Sequence, residues 1–155
     1  MICNALLVLA LNAYHEARGE PFHGQVAVSQ VVLRRANFDE RRVCKVVYAH
    51  RQFSWTAARP AVQDRAAWAE AVRAAKVAML WGHGAPSRDY SAGATHYHTV
   101  RVCPSWSVGM VRVAVIGEHE FYVPRPVTPH QGRKVAPFRR VGGAPVRLRT
   151  NTQCY

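Results

Sequence analysis

Acidic side chains are scarce in this 155-residue chain: 9 Asp and Glu stand against 21 Lys and Arg, for a formal net charge of +12. That imbalance predicts an anionic partner, whether nucleic acid, a membrane surface or an acidic wall polymer. Charge alone does not choose among the three. Cysteine is scarce too, and four cysteines are too few for a disulfide scaffold to be the main source of stability. Cys3, Cys44, Cys103 and Cys154 show no C-x-x-C spacing, which removes zinc-ribbon and thioredoxin readings. Two disulfides in one of three pairings, or buried free thiols, remain open. Long apolar runs are absent: Ala5 to Leu11 falls well short of the roughly 18 residues of a membrane span. No transmembrane segment is expected. Met1 to Asn4 carries no Lys or Arg, so no cleavable signal peptide is expected either. Internal repeats are missing, and the length suits one core, 49% of the residues being hydrophobic.

Periodicity supplies the elements. Leu6, Leu7, Ala10, Ala13, Tyr14 and Ala17 follow three-and-four spacing until Gly19 and Pro21, which predicts a helix ending near Ala17. Helices are also expected over His23 to Ala36 and around Arg41 to Ala49, followed by a polar and aromatic loop from Arg51 to Trp55. Asp64 reads as the N-cap of a further helix carrying Trp68, Val72, Ala75 and Met79 up to Gly82. Beyond a loop rich in Gly and Ser, Thr95 to Val102 has strand composition. Val111, Val113 and Val115 alternate, Gly117-Glu118 makes a turn and His119 to Val123 returns, which is a hairpin. From Pro124 onward the chain is basic and broken by proline, so a folded domain over 1–123 and a basic extension over 124–155 are expected.

The chemistry begins at His15-Glu16. A zinc protease helix needs a second His four residues after the first, and position 19 is Gly, so that motif is absent. Glu16 instead sits in the last turn of an apolar helix, where the negative end of the helix dipole and low-dielectric neighbours both disfavour ionisation. An acid so placed stays protonated above its ordinary range, as a proton donor to a leaving group must. A solvated Glu paired with Arg18 or His15 is the plain alternative.

The run H-E-A-R-G-E-P-F-H-G-Q-V-A-V-S-Q-V-V-L-R-R, followed in order by V-C-K-V-V-Y, Q-F-S-W, G-A-T-H-Y-H, P-S-W and I-G-E-H-E-F-Y, resembles the spore cortex-lytic enzyme and cell-wall hydrolase family from about Ala5 to Val123. The resemblance implies a lysozyme-like α+β fold, with a helical N-terminal part and a small antiparallel hairpin region. It also implies cleavage of peptidoglycan glycan strands, commonly as a lytic transglycosylase, with Glu16 as the catalytic acid. One departure stands out: the family usually reads L-N-R where this chain has Leu33-Arg34-Arg35, so Arg34 must take over any task of that Asn, or the task has moved. Small size and basic balance, with no evident signal, resemble a phage endolysin released through a holin and acting on the wall.

Glycoside cleavage ordinarily uses two carboxylates, and Glu20 is the only other one near Glu16 in sequence. A transglycosylase needs one, because the acid that protonates the bridging oxygen can then take the proton of the sugar's own 6-hydroxyl. Candidates for substrate contacts are Gln25, Gln52, Ser54, Trp55, Tyr97, His98, Trp106 and His119, although Gln52 and Ser54 also suit loop hydrogen bonding and Trp55 and Trp106 also suit a core. His96 and His98 fall on one face of a strand and invite a zinc peptidase or amidase reading, but no carboxylate or Cys stands at a ligand spacing. We therefore expect no metal and no cofactor. A nucleic-acid-binding module is the remaining rival, and no recognisable binding motif supports it. The expected partners are peptidoglycan and, through the basic tail, the anionic envelope, met by a monomer.

Overall fold

A computed structural model of the chain describes residues 3–81 and 88–126. Five helices come first: α1 (Ala5–Ala17), α2 (Phe22–Arg35), α3 (Glu40–Val47), the single turn α4 (Trp55–Ala58) and α5 (Arg65–Trp81). Three strands follow, β1 (His96–Thr99), β2 (Met110–Ile116) and β3 (His119–Pro124), with a 3-10 helix over Ser105–Gly109 before β2. Side chains start the helices where the sequence offers oxygen acceptors. Asn4 accepts from the Leu7 amide of α1, Asp39 from the Arg41 amide of α3, and Asp64 from the amides of Ala66 and Ala67 in α5. Gly19, at φ +93, lets the chain turn from α1 into α2.

Helices α1, α2, α3 and α5 enclose the main core around Leu9, Val26, Val32, Val43 and Val47. On α5 the inward residues Ala71, Ala74, Ala75 and Ala78 are all fully buried, and their small size lets this helix lie close to α1 and α2. Cys3 and Cys44 form a disulfide that ties the start of α1 to α3, which removes the free-thiol alternative for this pair. Tyr14 fixes the segment before α5, its hydroxyl accepting from the amides of Gln63 and Asp64 at 3.2 and 3.1 Å.

The sheet is antiparallel in the order β1-β3-β2. Tyr97 stands opposite Phe121 and Thr99 opposite His119, so these four share one face, while His96, His98, Glu120 and Tyr122 share the other. The Phe121 face packs against Ala27, Val28 and Val31 of α2. Close approach is enforced at Gly24, where a Cβ would stand 3.1 Å from Ile116 Cγ2.

Three expectations shift. The first strand covers His96–Thr99 rather than Thr95 to Val102, because the chain turns at Val100 and Arg101. The loop expected over Arg51 to Trp55 ends in a helical turn that begins at Trp55. Pro124 pairs with Met110 at the end of β3, so the strand reaches one residue into the expected extension. The expected basic tail from 127 onward, Cys154 included, and the part of the expected loop that falls on 82–87 lie outside the described residues.

Candidate active site

Glu16 lies in the last turn of α1 and is half-buried, and Asn12 precedes it by one helical turn on the same face. Burial pushes the Glu16 carboxyl up to about 7, and no cation among the described residues opposes that shift. The group is therefore a substantial proton donor at neutral pH. Asn12 is fully buried and uses both ends of its amide: its Oδ1 accepts from Trp55 Nε1 at 3.1 Å, and its Nδ2 donates to the Tyr97 hydroxyl at 3.4 Å. Burial, reinforced by the charge of Glu16, holds the Tyr97 phenol well above its ordinary range, so it stays neutral. His15 stacks on Trp55 with ring centroids 5.0 Å apart. Burial and then Arg18 lower its pKa, which keeps the imidazole uncharged.

Arg35 ends α2. Its Nη2 donates to Gln52 Oε1, and its guanidinium lies 5.9 Å from the Phe53 ring centroid. It also sits within electrostatic reach of Tyr97 and His96. The wall around Glu16 is thus assembled from α1, α2, the α3–α4 loop and β1.

The expected contact residues divide into groups. Trp55 and Tyr97 join this wall, Gln52 is exposed and meets it through Arg35, and Ser54 is exposed and makes no capping bond at α4. His98 and Trp106 lie on the opposite face of the sheet from Tyr97. There His98 stacks on Tyr122 at 5.0 Å, its Nε2 lies 3.8 Å from Glu120, and Trp106 packs against His96, His98 and Tyr122. Burial pushes Glu120 up, but the Tyr122 hydroxyl and Arg112 outweigh it and leave the carboxyl below its usual range. Gln25 is buried and donates to the Glu20 carbonyl at 3.2 Å. His119 is buried with its Nδ1 3.5 Å from Glu20 Oε1.

Glu20 is occupied in the same place. Its Oε2 accepts from the Glu118 amide at 2.9 Å, so this carboxylate holds the β2–β3 turn. Among the described residues no group of three or more His, Cys, Asp or Glu side chains is arranged to hold a metal ion. Arg34 bonds Asp89 at 2.6 Å, Ser91 at 2.7 Å and the Ala94 carbonyl at 3.1 Å. It fastens the 88–94 segment to α2, whereas Arg35 turns to Gln52 and Phe53.

Residues 19–122 match the Cell Wall Hydrolase family. The chain belongs to that family. Spore cortex-lytic enzymes are similar to it: that of Oceanobacillus iheyensis is 34% identical over 122 residues, 76% of this chain and 41% of the relative, and that of Bacillus subtilis is 31% identical over 121 residues, 76% and 37%. The chain therefore spans about two fifths of the length of these curated relatives. Among solved structures, the catalytic domain of the Bacillus cereus SleB protein superposes with a TM-score of 0.59 at 24% identity, covering 79% of this chain and 93% of that domain. This likeness shows the fold, the lysozyme-like α+β class that the sequence resemblance implies. In this cell wall hydrolase, Glu16 lies three residues before the matched family segment, on a helix that packs directly against it.

Two residues of the wall escaped the sequence reading. Asn12 reads there as the polar edge of an apolar run, and its spacing of four from Glu16 is the signal that marks it. Arg35 stands beside a departure from the family pattern at Arg34, which draws attention to the wrong one of the two.

Proposed function

We propose that this cell wall hydrolase cleaves the MurNAc-GlcNAc glycosidic bond of peptidoglycan strands as a lytic transglycosylase, with Glu16 as general acid and then general base. The observation that carries this reading is that Glu16, held near half-protonation at neutral pH by burial, is without a second carboxylate acting on it among the described residues, Glu20 being engaged by Glu118 and His119. A hydrolase would need such a partner to activate water or to form a glycosyl intermediate. With one acid the atoms balance. Glu16 gives its proton to the bridging oxygen as the C1–O bond breaks. Its carboxylate then removes the proton of the 6-hydroxyl while O6 bonds to C1, which closes a 1,6-anhydro ring and restores the acid. The polar wall of Tyr97, Asn12 and Gln52 supports the charge that develops between these steps.

The +12 charge supports attraction to an anionic envelope, and work on the wall as a phage endolysin is the setting we infer for it. Mass spectrometry of purified peptidoglycan digested by the wild type and by Glu16→Gln tests the reaction. Anhydro-muramic ends made by the wild type and absent with the variant are expected. Hydrated reducing ends would replace the transglycosylase with a muramidase, cut peptide stems would point to an amidase or peptidase, and an unchanged wall would overturn the enzyme reading.

A further inference from the structure

Consecutive arginines at the end of α2 are treated oppositely by the fold. Arg34 meets the carboxylate of Asp89 at 2.6 Å. Arg35 is half-buried, and among the described residues its hydrogen-bond acceptor is the neutral amide of Gln52, with no carboxylate acting on it. Desolvating a guanidinium is costly, and a neutral amide offsets only part of that cost. Its planar fork matches a carboxylate through two parallel N–H···O bonds. Placement adds a second argument: Arg35 lies over Phe53, the Phe53 ring lies 6.4 Å from that of Tyr97, and Tyr97 accepts from Asn12 one helical turn before Glu16, so one run of contacts joins the guanidinium to the acid. Gln52 and Phe53 hold the guanidinium, so its orientation is set before substrate arrives.

We propose that Arg35 is a substrate-binding residue that takes a carboxylate of the glycan strand. This rests on the glycan-cleaving reading above. Hydroxyl and N-acetyl groups are neutral and would be served as well by an amide, whereas a cation in a partly desolvated wall selects an anion. A muramic-acid strand offers carboxylates from two sources, the lactyl group where no peptide is attached and the peptide stem where one is.

Calorimetric titration separates these sources in a Glu16→Gln background, which binds without turnover. The ligands are short muramic-acid-containing glycans in three forms: lactyl carboxylate free, the same carboxylate converted to its methylamide, and peptide-bearing. At least one carboxylate form is expected to bind about tenfold tighter than the methylamide, the size of one charge-assisted contact. Tighter binding of the free-lactyl form assigns the lactyl group, and tighter binding of the peptide-bearing form alone assigns the stem. Adding Arg35→Gln should bring the ratio to near one, and Arg35→Lys should restore part of it, with thermal unfolding as the check on folding. Equal affinity for all three forms, or a preference that survives Arg35→Gln, overturns the proposal. The comparison of ligands uses intact Arg35, so equal affinities overturn the proposal even if Arg35→Gln fails to fold, and Arg35→Lys then assigns any preference that is found. Glycan cleavage by the wild type with no carboxylate preference would sink this inference alone; neither cleavage nor binding would sink the functional reading with it.

Discussion

The Asn12 amide reaches the Tyr97 hydroxyl at 3.4 Å across 85 positions of sequence, and with its other end holds the Trp55 indole. One fully buried side chain thereby ties α1, α4 and β1 together one turn from the candidate acid. Replacing it by Ala leaves the indole N–H and the phenol without their partner. Unfolding in urea should show a loss of about 2 to 3 kcal/mol. Wall cleavage should fall further than stability accounts for, because Tyr97 and Trp55 lose their fixed positions beside Glu16.

Burial of Glu16 makes stability depend on pH. Its folded pKa, about 7, lies above the 4.5 of an ordinary Glu, so the unfolded chain binds fewer protons between these values and stability falls as pH rises from about 4.5 to about 7. Glu16→Gln removes that cost. The variant should match the wild type near pH 4 and exceed it above pH 7 by up to about 3 kcal/mol, read from unfolding curves across pH.

The same titration sets the rate. The reaction starts from the protonated acid, so kcat/KM for purified wall should decline above about pH 7 as Glu16 ionises. A plateau reaching pH 9 would remove Glu16 from the role of proton donor.

Gly117 occupies the hairpin turn at φ +56, where a Cβ would collide with the Glu20 carboxylate and stand 2.9 Å from Pro21 Cδ. Gly117→Ala should therefore break the bond from the Glu118 amide to Glu20 and cost about 1 to 3 kcal/mol. The Glu118 amide resonance is the direct reporter: it should move strongly, while the helical amides far from the turn remain in place.

The Cys3–Cys44 bridge closes a separation of 41 residues. In the chain-entropy view, a double replacement by Ser should lower stability by about 3 to 4 kcal/mol. Both residues lie away from the Glu16 wall, so the folded fraction should keep its activity, which a specific-activity measurement below the unfolding transition would check.

Much of the fold was legible because it is written locally. Three-and-four spacing marks α1, α2 and α5 within a few residues of their observed ends, Asp64 caps α5 through its side chain, and the Gly117-Glu118 turn joins two alternating runs. Departures occur where short elements depend on partners, as at β1, whose length is set by its register against β3. Glu20 shows the same limit at the site. Its nearness to Glu16 in sequence says nothing about a bond to Glu118, which lies 98 positions away.

By itself the sequence determined the helical frame, the hairpin and the position of a carboxyl at the end of an apolar helix, since each depends on residues within one or two turns of each other. Tertiary structure alone decided what faces that carboxyl. Successive helical residues point about 100° apart and successive strand residues point to opposite faces, so neighbours in sequence part company. Arg35 is thereby turned to Gln52 and Phe53 and Arg34 to Asp89, while Tyr97 faces the helices and His98 the outer aromatic cluster. Which of each pair turned inward was settled by packing α2 against the sheet, a contact between distant segments that no local pattern encodes.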